Sequence, residues 1–194
     1  ITTGTTILDA FKSTVSDSNN INYSKNGDNL TGSDIIVVAI GEKPYTEGVG
    51  DRDSLFLSKE NKELLEKVKR AKIPYIVILI SGRPMIINEE LNDSHAFIAA
   101  WLPGTEGAGI SDVLFGDFNP GGKLPLTFPR SVGQLQMIYN HKPSQYFHKY
   151  AFEKVSPLYP FGHGLSYSNF KYSEFIANEV IDDKISISVD VTND

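Results

Sequence analysis

Acidic side chains cluster in one short stretch between positions 42 and 53. They are Glu42, Glu47, Asp51 and Asp53, with Lys43 and Arg52 among them. Neighbouring carboxylates raise one another's pKa, and a carboxyl with a raised pKa can donate a proton near neutral pH, whereas nearby cations oppose that shift. The stretch is therefore a candidate for general acid–base chemistry. The structural alternative is an ordinary solvated loop, because loops are polar in general.

A buried strand is expected to hold this acidic loop. The apolar residues 35–40 precede it without interruption, and Gly41 ends the run. An apolar run of this length, rich in β-branched residues, predicts a strand buried on both faces, as in a parallel sheet. Ligands of open parallel sheets bind beyond the carboxyl ends of the strands. The loop therefore begins at the edge where chemistry is expected.

Helices and strands alternate after the loop. Residues 58–71 predict a helix, because an N-terminal cap signal is followed by an apolar stripe and a basic last turn. Residues 75–80 and 96–101 predict two further strands, and residues 106–114 predict a helix whose glycines would allow close packing on the sheet. This order predicts βαβ units and a parallel sheet.

The segment before the acidic loop predicts less structure. Residues 7–15 predict an amphipathic helix capped by Thr5 or Thr6. The Asn-rich residues that follow are typical of a loop, with one short strand expected at 21–23.

The pattern changes again towards the carboxyl end. Residues 124–129 predict an extended segment that its prolines confine to the edge of a sheet. Residues 135–165 are rich in aromatic residues, His and Pro and are expected to be irregular. Residues 170–175 and 185–191 alternate apolar and polar side chains, which predicts the first strands of an antiparallel β-sandwich.

The bulk composition excludes several classes of protein. The 194 residues carry a net charge of −6 and no basic cluster, which disfavours nucleic-acid and anionic-membrane partners. Zero cysteines exclude disulfides and thiolate metal sites. No apolar stretch approaches the ~18 residues of a membrane span, and no targeting signal is recognisable. Because the first residue is Ile1, we expect a piece of a longer bacterial protein, either cytoplasmic or secreted.

Other chemistries lack their sequence signatures. The sequence has four histidines, His95, His141, His148 and His163. They are too scattered for a metal site, so neither a metal nor a cofactor is predicted. Residues 116–123 suggest a phosphate loop, but the glycine spacing fails and Leu124 replaces the required Ser or Thr, so a flavodoxin-like nucleotide binder is disfavoured. No Gly-x-Ser-x-Gly elbow provides a serine nucleophile.

A set of short motifs occurs in a fixed order along the chain. They are residues 41–42 (GE), 44–47 (PYTE), 50–51 (GD), 81–84 (SGRP), 100–104 (AWLPG), 106–107 (EG), 114–117 (LFGD), 121–125 (GGKLP) and 159–167 (YPFGHGLSY). In this order they resemble the C-terminal α/β domain of family 3 glycoside hydrolases, the β-glucosidases and exo-β-glucanases. The resemblance covers about residues 1–175 and rests on the ordered set rather than on any one motif.

The resemblance implies a fold and a division into domains. The fold is α/β, a three-layer α/β/α sandwich around a mostly parallel sheet of roughly five or six strands. We expect this domain to span residues 1–168. Residues 169–194 are expected to form a linker and the first strands of a truncated fibronectin type III-like β-sandwich, which many family members carry at this point.

The resemblance also assigns roles within the acidic loop. Glu47 matches the family's general acid/base through its Pro-Tyr-x-Glu context, and the alternatives are that Glu42 has this role or that Glu47 is a plain loop residue. Tyr45 is expected to stack on sugar or, more simply, to pack beneath the loop. Asp51 and Arg52 are expected to form an ion pair that holds the shape of the loop rather than to contact ligand.

Three residues outside the loop receive structural interpretations. Trp101 is the only tryptophan, and we expect it in the core rather than in a sugar platform. Arg83 is expected to bind backbone carbonyls or a carboxylate at the carboxyl edge of the sheet. His163 lies in a glycine-rich turn and is interpreted as structural.

A glycosidase needs a second carboxyl group. Members of the resembling family carry their Asp nucleophile on an N-terminal (β/α)8 barrel that makes most of the sugar contacts, and no part of this chain resembles that barrel. We therefore expect the second domain of a retaining β-glycosidase, acting on a β-linked glucoside or oligosaccharide across a domain interface and inactive by itself. The alternative is a non-catalytic carbohydrate-binding or scaffolding module.

Overall fold

The computed structural model describes residues 3–46, 48–134 and 156–194. Its central feature is a three-stranded parallel sheet in the order β1–β2–β3, formed by Ile36–Gly41, Tyr75–Ile80 and Ala96–Trp101. The α/β class and the βαβ arrangement are therefore confirmed. Three strands of the expected parallel sheet lie within the described residues.

Four α-helices accompany this sheet in the described part of the chain. They are α1 (Ile7–Thr14), α2 (Lys59–Arg70), α3 (Asn88–Asp93) and α4 (Gly107–Phe115). Thr6 caps α1 by accepting a hydrogen bond from the Asp9 amide, and Ser58 caps α2 in the same way from Asn61. None of the helices within the described residues is long and apolar enough to cross a membrane.

Helix α2 covers one face of the sheet. Its apolar stripe contributes Leu65 and Val68 to a core that includes alternate residues of β1 and β2. The other core members are Ile36, Val38, Ile40, Leu57, Tyr75, Val77, Leu79, Met85, Ile87 and Phe128. Because side chains alternate along a strand, Ile78 points to the opposite face, and it is also fully buried. Both faces of the central strand are therefore covered.

Strand β1 departs from the expected burial on both faces. Ile36, Val38 and Ile40 are buried, whereas Val37 and Ala39 between them are exposed. β1 is an edge strand of the sheet that the described residues form, and one of its two faces is exposed among them. The apolar run predicted the strand correctly and its burial wrongly.

Helix α4 packs against the start of α1. Its glycines were predicted to allow close packing on the sheet, but the close glycine contact is made with the start of α1. A Cβ atom at Gly107 would lie 2.5 Å from the backbone carbon of Thr6, so only glycine allows this approach. The rings of Phe11 and Phe115 meet edge to face at 5.6 Å.

The structure outside the parallel sheet and its helices agrees with the sequence prediction in one place and differs from it in two. The short strand expected at residues 21–23 is irregular in the structure, and the extended segment at 124–129 makes one isolated bridge, between Phe128 and Tyr159. The period-two pattern near the carboxyl end does form an antiparallel hairpin. Its strands are β4 (Phe170–Ala177) and β5 (Ile187–Asn193).

Candidate active site

The acidic loop leaves the sheet between the ends of β1 and β2. Gly41 lies so close to β2 that a Cβ atom there would be 2.4 Å from the carbonyl oxygen of Ile80. The amide of Glu42 donates a hydrogen bond to that oxygen at 3.0 Å. Glycine therefore ends the strand for a steric reason. Glu42 begins the loop at the same edge as Ser81, the first residue after β2.

The buried carboxylate of Glu42 is the centre of a hydrogen-bonded cluster. Only 7% of its side chain is exposed, and its Oε1 accepts a hydrogen bond from Arg52 Nη1 at 2.8 Å. Its Oε2 accepts from Tyr45 Oη and Ser81 Oγ, each at 2.9 Å, and lies 3.3 Å from Arg83 Nε. These five residues, which we call the Glu42 cluster, join the acidic loop to the segment after β2.

The cluster keeps Glu42 ionised. Burial by itself raises the pKa of a carboxyl group, but hydrogen bonds from Tyr45, Ser81 and Arg52 and the charge of Arg83 outweigh it. The pKa of Glu42 therefore lies below its ordinary value of 4.5. A carboxylate that is ionised at neutral pH has no proton to donate. This argues against Glu42 as the general acid, the alternative to Glu47.

Arg83 holds the loop at several points. Its guanidinium carbon lies 4.1 Å from the centroid of the Tyr45 ring, and Nε donates to Tyr45 Oη at 3.1 Å. Nη2 donates to the carbonyl oxygen of Gly50 at 2.7 Å. The contacts to this carbonyl and to Glu42 confirm the prediction that Arg83 binds backbone carbonyls or a carboxylate here. Stacking of a guanidinium on an exposed aromatic face contributes about 0.5–1 kcal/mol.

Tyr45 packs between two glycines of the site. A Cβ atom at Gly50 would lie 2.5 Å from Tyr45 Cδ2, and a Cβ atom at Gly82 would lie 2.6 Å from Tyr45 Oη. Real Cβ atoms do not approach other atoms so closely, so both positions require glycine for the ring to sit here. These contacts favour the packing interpretation of Tyr45 over sugar stacking.

Two backbone hydrogen bonds shape the loop near position 47, one spanning it and one just after it. The amide of Gly50 donates to the carbonyl of Thr46 at 2.8 Å, and the amide of Asp51 donates to the carbonyl of Gly48 at 3.1 Å. Thr46 and Gly48 are exposed. Glu47 itself lies outside the described residues. The residues on either side of position 47 are thus accessible to solvent, in contrast to the buried side chain of Glu42.

Asp51 and Arg52, both within the described residues, do not form the expected ion pair. Arg52 pairs with Glu42 instead, and its second nitrogen, Nη2, donates to the carbonyl of Phe56 at 3.1 Å. Arg52 therefore holds the loop as predicted, but through a different carboxylate. Neighbouring side chains in an extended chain point to opposite sides, whereas the folded loop brings Glu42 and Arg52 together.

Trp101 belongs to the core, as predicted. Its ring packs against the buried cluster and meets the Phe128 ring edge to face at 6.0 Å. Its φ of +53° is unusual for a bulky residue, and it occurs where the β2–β3 register shifts. The Trp101 carbonyl accepts a hydrogen bond from the Ser81 amide at 3.1 Å. The irregular end of β3 thus helps to position a member of the Glu42 cluster.

The histidines do not build a metal site within the described ranges. No group of three His, Cys, Asp or Glu side chains there could hold a metal ion. His163 has the structural role predicted for it, because its ring stacks on Tyr159 at 4.1 Å and its carbonyl accepts from the Leu124 amide at 2.8 Å. His141 and His148 lie outside the described residues.

Sequence reasoning missed Ser81 and the role of Glu42 as a shared acceptor. A usable signal was present, because Ser81 directly follows the predicted strand 75–80 and Glu42 follows the predicted strand 35–40 after the single residue Gly41. Adjacent parallel strands end at the same edge of a sheet, so the two side chains were candidates for contact.

Together the fold and the site define a parallel α/β domain with an anchored acidic loop at the carboxyl edge of its sheet. The family model for the glycosyl hydrolase family 3 C-terminal domain matches residues 1–167. The chain therefore belongs to glycoside hydrolase family 3, as its C-terminal domain.

Individual relatives agree with this assignment. The chain is 37% identical over 176 residues to the periplasmic β-glucosidase of Salmonella typhimurium, covering 83% of this chain and 23% of that protein. It is 36% identical over 209 residues to a β-xylosidase of Formosa agariphila, covering 96% of this chain and 29% of the relative. The structure of a β-glucosidase from Erythrobacter marinus matches 84% of this chain and 23% of its own, with a TM-score of 0.72 and 40% identity. The chain thus spans about a quarter of the length of these relatives.

Proposed function

We propose that this chain is the second domain of a retaining β-glycosidase and that Glu47 is its general acid/base. The observation that carries the proposal is the Glu42 cluster. It fixes the loop on both sides of Glu47 at the carboxyl edge of a parallel sheet, while the flanking Thr46 and Gly48 stay exposed. The two ends of the loop are anchored and the turn between them is accessible. This arrangement suits a carboxyl group that must meet a substrate held elsewhere.

The proposed reaction has two steps. An Asp on an N-terminal (β/α)8 barrel attacks the anomeric carbon, while Glu47 donates its proton to the departing glycosidic oxygen, which leaves a covalent glycosyl-enzyme. Ionised Glu47 then takes a proton from water as that water attacks the anomeric carbon and releases the Asp. Both carboxyls return to their starting states. Because the nucleophile belongs to the barrel, we propose that this chain is inactive by itself.

The other residues predicted for the site have supporting roles in this proposal. Tyr45 and Arg52 support the loop through the Glu42 cluster, and Asp51 supports it through its backbone bond to Gly48. The proposed substrates are terminal β-linked glucosides or oligosaccharides, in keeping with the β-glucosidase and β-xylosidase names of the relatives. No cofactor is required.

We also propose a domain boundary between residues 168 and 169. The family match ends at residue 167. Asn119 ties the end of this region to the α/β domain, because it accepts hydrogen bonds from Ser166 Oγ and the Tyr167 amide and donates to Ser168 Oγ. Strands β4 and β5 follow, and they pair with each other.

The test joins this chain to an N-terminal (β/α)8 barrel of the family and compares aryl β-glucosides with good and poor leaving groups. We call this protein the joined enzyme. For Glu47→Gln we expect kcat/KM to fall by about 10²–10⁴-fold on the poor leaving group, which needs a proton. Dinitrophenolate leaves without one, so its kcat/KM should change little. Unchanged turnover of both substrates would overturn the assignment and favour the non-catalytic module.

A further inference from the structure

The Glu42 cluster links two segments of chain that are distant in sequence. The loop contributes Glu42, Tyr45 and Arg52, whereas Ser81 and Arg83 follow β2. Arg83 and Arg52 also continue from the carboxylate to backbone carbonyls of the loop. One carboxylate therefore organises contacts that reach the loop both before and after position 47.

A carboxylate is the side chain that fits this centre. Its two oxygens accept hydrogen bonds from Arg52, Tyr45 and Ser81 and lie beside Arg83. A glutamine would have one acceptor oxygen and would turn an NH₂ group towards donors or a cation. The positive charges of Arg52 and Arg83 would then lose their shared anion at a site where Glu42 is almost fully buried.

We propose that Glu42 is the positioning residue that holds the acid/base loop in its working geometry. The inference rests on the proposed function of Glu47 and adds a second glutamate, which does not exchange protons with substrate. The chain is held two residues before position 47, through Tyr45, and three residues after it, at the carbonyl of Gly50. A shift of about 1 Å in a catalytic group costs about 100-fold in rate, so loss of the central carboxylate affects chemistry at position 47.

The first experiment introduces Glu42→Gln into the joined enzyme and compares leaving groups. If Glu42 positions the acid, kcat/KM for the poor leaving group falls by about 100-fold, while kcat/KM for the dinitrophenyl glucoside stays within a few-fold of the parent. The matched control is Glu63→Gln, which removes an exposed carboxylate of α2 that lies 3.7 Å from Lys59. The control should leave kcat/KM unchanged for both substrates.

A second measurement follows the loop without relying on activity. Trypsin cleaves after Arg52 only when that side chain is free, and in the parent it is bound to Glu42 and to the Phe56 carbonyl. Glu42→Gln should speed cleavage after Arg52 several-fold, relative to cleavage after the exposed Lys25 in the loop before β1. Mass spectrometry identifies the fragments.

The outcomes separate failure of this inference from failure of the proposed function. If Glu47→Gln leaves both substrates untouched, the proposed function fails and the inference fails with it. If Glu47→Gln behaves as expected but Glu42→Gln lowers kcat/KM equally for both substrates, or for neither of them, only the inference fails. An unchanged rate of cleavage after Arg52 in Glu42→Gln also contradicts the inference. Should Glu42→Gln not fold, Arg52→Lys keeps the charge and removes the link to Phe56. It should give the same leaving-group selectivity to a smaller degree, and a uniform loss would overturn the inference.

Discussion

At the scale of single residues, the loop combines two kinds of glutamate. Glu42 is buried, ionised and bound by two arginines, which removes it from proton transfer. The residues flanking Glu47 are exposed, which suits a carboxyl group that must meet a substrate. The sequence predicted Glu47 from its motif. It left Glu42 as an alternative acid, because composition does not reveal which carboxylate faces the cations.

The low pKa of Glu42 predicts a pH-dependent contribution to stability. Because folding lowers this pKa below 4.5, the contribution is fully present above pH 4.5 and is lost as the pH falls through the folded-state value. The free energy of unfolding of the unsubstituted protein should therefore exceed that of the Glu42→Gln variant at pH 7. The gap should narrow as the pH falls from about 4.5 through the lower folded-state pKa, because a protonated Glu42 resembles glutamine.

Urea unfolding of both proteins at pH 7 and at low pH measures this gap. Comparing the two proteins at each pH cancels the effect of the other carboxyl groups. A gap that stays constant across the range would show that the charge of Glu42 contributes nothing to stability.

At the scale of elements, local patterns gave the regular structure and missed features that depend on tertiary contacts. β2 and β3 have the predicted bounds, and α2 lies within one residue of its predicted ends, because its cap and basic last turn are local signals. α3 was not predicted, because it has only six residues and no side-chain cap that the sequence could signal. The exposed face of β1 depends on which elements pack over the sheet, and the run of apolar residues carries no information about that.

The close contact at Gly82 predicts a specific loss when a methyl group is added. In Gly82→Ala the new Cβ would start 2.6 Å from Tyr45 Oη and push the hydroxyl away from Glu42 and Arg83. We expect a loss of about 1–3 kcal/mol in the free energy of unfolding, which is typical of overpacking. Chemical denaturation at pH 7 measures the change.

Gly109→Ala is the matched control. Gly109 lies within α4, and a Cβ atom there would meet nothing within 4 Å, so alanine should stabilise the protein by up to about 1 kcal/mol through helix propensity. If Gly82→Ala were as stable as this control, the packing of Tyr45 against the segment after β2 would not matter for the fold.

At the scale of the whole molecule, residues 1–167 match one domain of a family whose compared members are much longer. The chain spans about a quarter of each relative compared, and the ordered motifs were sufficient to predict the family. Sugar and linkage preference could not be predicted, because in the proposed enzyme most sugar contacts would belong to the barrel. In the proposed enzyme the chain supplies a proton donor on an anchored loop, and the barrel supplies the nucleophile.

The most direct test of this account is azide rescue of Glu47→Ala in the joined enzyme, with dinitrophenyl β-glucoside as substrate. This substrate needs no acid for the first step, so the glycosyl-enzyme should accumulate until a nucleophile that needs no general base attacks it. We predict that azide raises kcat at least 10-fold and yields β-glucosyl azide, while the parent enzyme is unaffected. If azide neither accelerates turnover nor appears in a β-configured product, Glu47 is not the acid/base.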